Sequence, residues 1–548
     1  MLYFTAGILI GITIIIFSLK KKENRQLKEI SSSSYRTIII LQFIIFGFLL
    51  FYKIQEIPVP YHADEAGTVY DAVSIANYHV DRYLYHFPVY FVNFGGGGQG
   101  ALYTYLAAFA VKLFGFSAFS VRLPSVIMEL ISSLVFTWLI YKEFGRTASA
   151  AGMAVFCFQP FSIMHSRWAL GAFLLFPMVV ISCAAFYQAI QSGKTKWFII
   201  CGFSFGITLY SYAISYLILP LFLGISILYL LYLNKITWKN IFSMGIPLFL
   251  LAVPLMITLA VNSGLIDEIR TGFISFPKIY NYRGGEITLQ SAVVQLKFTE
   301  LNIFHRIFIS DLLVYNAVPK FGTINYVCLP FIAYGFGGGF RRNISSIKEK
   351  RFSFEFIMHV LFTCVFIIML PSYYISINKT CAIYLPLFYF LVVGIYDLLL
   401  TDRRTLSVFL LTMMCSFLLF LNYYFTDFSK DIYSNGLVSS LADLKEALDF
   451  SDTVYKNDNE MIYVVGRSEP YISVLIALDV DPYSFNEKKT VSYENRVKIY
   501  DHYRFDLDAV MPECIYIFRD LNNIPENIDT FGFGSRQFGS VIVYYPAN

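Results

Sequence analysis

The sequence predicts a polytopic α-helical membrane protein with about twelve transmembrane helices and a small extracytoplasmic α/β domain at its C-terminal end. Three observations lead there. Of 548 residues, 57% are hydrophobic and only 15% are charged, where soluble chains run at about half and about a quarter. The apolar residues fall in runs close to the roughly 20 that a helix needs to cross the hydrocarbon core. Charged and polar residues return in strength only after position 426. A mean hydropathy of +0.58 excludes a soluble multi-domain enzyme, a disordered chain and a secreted disulfide scaffold.

Spans are expected near 3–19, 37–55, 124–142, 147–165, 169–190, 197–215, 216–234, 241–262, 324–340, 354–374, 380–400 and 405–425. The run at 3–19 is followed, not preceded, by basic residues and shows no small-residue cleavage site. It therefore reads as a retained anchor, not a signal peptide. The connections KKKENRQLK (20–28), YKEFGR (141–146), SGKTK (192–196), NKITWK (234–239), RRNISSIKEKR (341–351) and TDRR (401–404) are all basic. Basic short loops face the cytoplasm. The opposite side then receives loops 56–123 and 263–323, the turn at 372–379 and the tail.

The run ALYTYLAAFAVKLFGF (101–116) tests that parity. A crossing there would switch the side of every basic loop up to the next long external segment. It is expected instead to lie on the outer surface as an amphipathic helix with Lys112 toward water.

In the tail, a helix is expected over 437–449, and short strands at 461–466, 514–519 and 540–545. The chain divides into an extra N-terminal anchor with its basic loop (1–36), a transmembrane unit (37–425) and the soluble domain (426–548). Seven of eight cysteines lie in or beside apolar runs and no C-x-x-C occurs, so neither zinc nor a disulfide framework is implied. A net charge of +4 without a basic stripe gives no reason to expect nucleic acid as a partner.

Chemistry concentrates in the first external loop. Asp64 and Glu65 follow His62 a few residues beyond a span end, where a water-soluble acceptor can meet a lipid head group. A partly desolvated carboxylate there can serve as general base. The loop continues DRYLYHFPVYFVNFGGGGQGALYTYL (81–106), whose aromatics suit sugar rings; its glycine run lacks the GK[ST] of a phosphate loop. Arg122, and Arg167 beside His165, mark outer span ends, where guanidinium forks can pair with a lipid phosphate. Solvated acids and interfacial anchoring cations are the alternatives that residue type leaves open. The segment 263–323 carries Asp267, Glu268, Arg270, Arg283, Glu286, His305 and Arg306, with Tyr280 and Tyr282, as an expected lid or an ordinary solvated loop.

HADEA (62–66), LYTYLAAFAVKLFGFSAFSVRLPS (102–125), YKEFGR (141–146), QPFSIMHSRWAL (159–170) and GFSFGITLYSY (202–212) occur in a particular order. Over roughly 37–235 they resemble the N-terminal half of the protein O-mannosyltransferase-like membrane glycosyltransferases of the GT-C fold. That family, glycosyltransferase family 39-like, includes the bacterial aminoarabinose transferases. SINKTCAIYLPLFYFLVVGIYDLL (376–399) resembles a later span of such proteins.

The resemblance implies a polyprenyl-phosphate-linked sugar as donor and an outer-face glycan, lipid or protein as acceptor. It implies Asp64 as catalytic base, with Glu65 orienting the acceptor or Asp64. Arg122 and Arg167 match recurrent motif positions around the lipid phosphate; Lys379 joins them by placement alone. His62, Tyr103 and His165 complete the expected substrate-binding set. No cofactor is required, and no ligand-spaced cluster supports a divalent metal. Gly171 stands where many relatives carry a second acid. The expected activity is inverting transfer by single displacement, in a bacterial cytoplasmic membrane. A multi-pass transporter or lipid-linked glycan flippase is the rival, against which stands the scarcity of charge inside the spans, Glu129 and Glu355 excepted.

Overall fold

The computed structural model describes residues 2–20, 29–59, 61–94, 97–279, 303–309, 313, 315–372, 375–399, 402–434, 440–455, 461–466, 469–491, 496–507 and 509–547. Within them, eight helices are long and apolar enough to cross a membrane. They account for nine of the expected spans, because helix α5 (Ala118–Cys157) holds two. The others fall on Thr195–Leu209, Leu329–Lys348 and Phe354–Met369.

The break inside α5 is at Gly145, whose φ of 84° no side-chain-bearing residue adopts cheaply. A Cβ there would also lie 2.5 Å from Glu29 Oε1. Glu29 Oε2 accepts from the Arg146 and Thr147 amides at 3.0 and 3.1 Å. It thereby satisfies donors that a new helix start leaves open. The basic turn YKEFGR is thus a helix stop and restart secured by one carboxylate.

Helix α1 (Leu2–Lys20) docks through Gly7 and Gly11, spaced four apart on one face. A Cβ at Gly7 would meet Tyr326 Cβ at 2.6 Å, and one at Gly11 would meet the Val327 carbonyl oxygen at 2.6 Å. Small residues at this spacing let membrane helices approach backbone to backbone. Gly11→Leu should force α1 off the 326–330 segment at a cost of about 1–3 kcal/mol. Disulfide trapping between Phe4→Cys and Tyr326→Cys, whose rings lie 5.1 Å apart, should fall sharply in that background. Unchanged trapping would refute the packing argument.

Helix α4 (Ala101–Phe114) is 14 residues, about 21 Å at 1.5 Å per residue, too short to span. It runs along α3 (Ala63–Tyr78) and the start of α5. Its outward side shows Phe109, Leu113 and Phe114, apolar and more than half exposed. Lys112 is exposed, and its ammonium donates to the Ala76 carbonyl at 3.1 Å, which ties α4 to α3.

After Asp427 the chain builds a mixed seven-stranded sheet. At its centre β1 (Ile462–Val465) pairs parallel with β3 (Ile515–Phe518) and with β2 (Tyr503–Arg504). The outer pairings, such as β4 (Phe533–Phe538) with β5 (Val541–Pro546), are antiparallel. Helix α7 (Leu441–Val454) and helix α8 (Pro470–Ala477) cover this sheet. This domain is not tethered loosely. One apolar cluster holds Val69, Tyr70 and Ile75 of α3 together with Leu444, Tyr471, Leu475 and Phe485 of the domain. The Tyr70 hydroxyl donates to the Val480 carbonyl at 2.8 Å across the same junction.

Candidate active site

Asp64 and Glu65 occupy the first turn of α3, where carboxylates favour the positive end of the helix dipole. Adjacent helical residues point about 100° apart, so the two acids meet different surroundings. Asp64 is exposed; Glu65 is fully buried. Glu65 accepts two bonds from Arg122, Nε to Oε1 at 2.7 Å and Nη2 to Oε2 at 2.9 Å, and a third from the Ala169 amide at 2.9 Å. It therefore acts as a fixed strut that anchors the first turn of α3.

Three residues expected to touch substrate are spent inside the protein. Arg122 is buried on α5 and gives its remaining bonds to the carbonyls of Ile54 and Pro58, each at 2.8 Å. Arg167, also buried, donates to the carbonyls of Leu49, Leu50, Tyr52 and Ile57 at 2.6–2.8 Å. These lie at and beyond the C-terminal end of α2 (Ser32–Phe51), whose last carbonyls have no partner within the helix. The Tyr103 hydroxyl donates to the Val121 carbonyl at 2.9 Å and accepts from Ser125 at 3.0 Å. The expected phosphate contacts of the two arginines and the expected substrate contact of Tyr103 would have to compete with these internal bonds. Every nitrogen of the Arg122 fork is bonded to a carboxylate or a carbonyl, whereas Arg167 keeps a buried Nε without a hydrogen-bond partner among the described residues. Together the arginines clamp 49–58 and so fix where the His62–Glu65 turn emerges.

His62 and His165 differ from these. His62 is stacked on Tyr315 at 4.1 Å and meets Trp168 edge-on at 4.8 Å. Burial, with Arg122 adding, holds its pKa down at about 3, so the ring is neutral. Its Nε2 has no hydrogen-bond partner among the described residues. His165, at the end of α6 (Pro160–His165), lies between Phe161 and Phe173 with ring centroids at 4.5 and 4.3 Å. Both its ring nitrogens, Trp168 Nε1 and Asn378 Oδ1 are likewise buried without a partner among the described residues. Buried polar groups are normally satisfied; this set converges on one turn. The short helix carrying Asn378 and Lys379 (Ile377–Thr380) packs on residues 171–174, where Cys381 Sγ approaches the Ala172 carbonyl at 3.5 Å. Lys379 itself is partly exposed.

Sequence reasoning missed Asp71, Arg82 and Trp168. Arg82 is fully buried and forks onto Asp71, with Nε to Oδ1 at 2.9 Å and Nη2 to Oδ2 at 2.7 Å. It also donates to the Gly67 carbonyl at 2.6 Å and to the Tyr471 hydroxyl at 3.4 Å. The only signal was an arginine in an aromatic loop. In the external segment, Glu268 accepts from Arg270 at 2.9 Å and from Tyr85 at 3.0 Å, so these charges pair near the first loop. Tyr280, Tyr282, Arg283 and Glu286 lie outside the described residues. Among the described residues no group of three or more His, Cys, Asp or Glu is placed to hold a metal ion.

Residues 99–261 match the family model described as dolichyl-phosphate-mannose-protein mannosyltransferase. A search of curated proteins gives no match. Among solved structures the chain resembles apo ArnT from Cupriavidus metallidurans, with a TM-score of 0.57 at 10% identity over 93% of this chain and 98% of that one. The same protein bound to undecaprenyl phosphate gives a TM-score of 0.54 at 11% identity over 94% and 98%. The chain is therefore a multi-pass membrane protein with the GT-C fold, in which residues 99–261 are similar to the dolichyl-phosphate-mannose-protein mannosyltransferase family.

Proposed function

We propose that this chain moves a sugar from a polyprenyl-phosphate-linked donor to a hydroxyl acceptor on the outer face of a bacterial cytoplasmic membrane. The observation that carries the reading is the contrast between the two adjacent acids: Glu65 locked by Arg122, Asp64 left exposed on a rigid helix turn. Asp64 takes the acceptor proton as the acceptor oxygen forms its bond to the anomeric carbon. The bond from that carbon to the phosphate oxygen breaks in the same step, and the polyprenyl phosphate leaves with the electron pair. One displacement inverts the anomeric configuration. The leaving phosphate is already a stable anion, so it needs donors and positive charge more than a general acid.

Lys379, with the unpartnered His62, His165 and Trp168 nitrogens, supplies such donors around the 165–174 turn. A GT-C neighbour solved with undecaprenyl phosphate supports a lipid-phosphate donor. The basic connections then lie in the cytoplasm, and the C-terminal domain sits outside with Asp64. Purified protein given radiolabelled polyprenyl-phosphate sugars and envelope extract should move label from the lipid to an acceptor with inverted linkage. Label that stays on intact lipid, or lipid-linked sugar carried across vesicles without bond cleavage, would overturn the reading.

A further inference from the structure

The C-terminal domain brings a second carboxylate toward the mouth of α3. Glu469 immediately precedes α8, which packs along α3, and it is partly buried there. Two residues on, the Tyr471 hydroxyl contacts Arg82 and its ring lies 6.0 Å from Phe94. The Arg82 guanidinium covers Phe94 at 5.1 Å and bonds the Gly67 carbonyl. Gly67 is three residues beyond Asp64, hence on the same face of α3. A Cβ at Gly67 would strike Phe94 at 2.8 Å, so the first loop sits directly on this turn. Burial raises the Glu469 carboxyl above its usual range; the charges of Arg496 and Arg82 oppose the rise and that of Asp64 adds to it.

Phe94 is partly exposed, with the Arg82 guanidinium over its ring. An aromatic ring and a carboxylate with flanking arginines form a set that matches a polyhydroxyl ring. The aromatic covers its C–H face, while the oxygens take its hydroxyl protons. A lipid head held at the bilayer surface would not reach groups contributed by a folded soluble domain so readily as a projecting glycan.

We propose that Glu469 and Phe94 form the acceptor subsite, that the acceptor is a saccharide, and that Glu469 is a positioning residue holding it against Asp64. This rests on the transferase reading above. The test uses the full chain in micelles with a labelled polyprenyl-phosphate hexose and three acceptors: a soluble oligosaccharide mixture, a Ser/Thr-rich peptide and phosphatidylethanolamine vesicles. Label is expected on the oligosaccharide. Glu469→Gln should raise the KM for that acceptor about tenfold, as loss of a charge-assisted hydrogen bond does, with kcat falling far less. Glu469→Asp should recover part of the affinity, and Phe94→Leu should also raise KM. Label only on peptide or vesicles, or an unchanged oligosaccharide KM in Glu469→Gln, overturns the subsite. An Asp64→Asn variant as active as the unmodified protein sinks the transferase reading itself. Loss in that variant beside a normal Glu469→Gln defeats the subsite alone.

Discussion

Asp64→Asn should lower the transfer rate by about 10²–10⁴-fold, the contribution of a positioned general base, while leaving the protein inserted and folded. Asparagine keeps the shape of the side chain and removes its capacity to take a proton. The struts are the Glu65–Arg122 pair and the Arg167 clamp, neither of which includes Asp64. The loss should therefore appear in kcat with little change in donor KM, and the thermal midpoint in detergent should match the unmodified protein. Near-normal turnover would remove Asp64 from the mechanism. A collapsed midpoint would show that its carboxylate is structural.

Arg122→Ala should have the opposite profile. Its guanidinium bonds Glu65 twice and two backbone carbonyls, all in a site without solvent. Removing it strands a buried carboxylate and two buried carbonyls. Breaking a buried ion pair from one side costs about 3–5 kcal/mol. Folded domains are stable by only about 5–15 kcal/mol, so a large drop in the thermal midpoint is expected, with activity lost alongside it. Glu65→Leu with Arg122→Met should restore part of that stability, because both charges then leave together. Activity should stay low in the double variant, since α3 loses the strut that anchors its first turn. A wild-type midpoint in Arg122→Ala would show that the pair does not carry the load assigned to it.

The two experiments separate what adjacent acids do. Residue type made Asp64 and Glu65 equivalent, and the resemblance assigned them neighbouring roles. Helical geometry parts them, since consecutive side chains cannot enter one environment. The same limit explains the arginines. A span-end arginine reads equally well as a phosphate ligand, an interfacial anchor or a framework donor. What decides is whether helix-end carbonyls and a buried carboxylate lie within reach, and those come from residues 57 to 118 positions away.

The short helix at 101–114 was legible because its length and the parity of the basic loops are local or one-dimensional properties. Gly145 and the paired Gly7 and Gly11 carried their meaning only once Glu29 and residues 326–330 were seen against them. The docking of the C-terminal domain was not legible at all. Its contacts join Tyr70 to Val480 and Arg82 to Tyr471 and Asn486, across 389 to 410 residues. No periodicity or motif records a pairing at that separation.

By itself, then, the sequence determined the membrane class, the approximate spans and the loop that carries the acids. Hydrophobic run length and the distribution of charge are properties of the chain read in order, and the bilayer acts on them directly. Tertiary structure alone decided which acid faces water, which cations are consumed as struts, and that a distant domain seats on the helix bearing Asp64. A side chain's role depends on whether its polar atoms find partners once buried, and those partners exist only after the chain has folded.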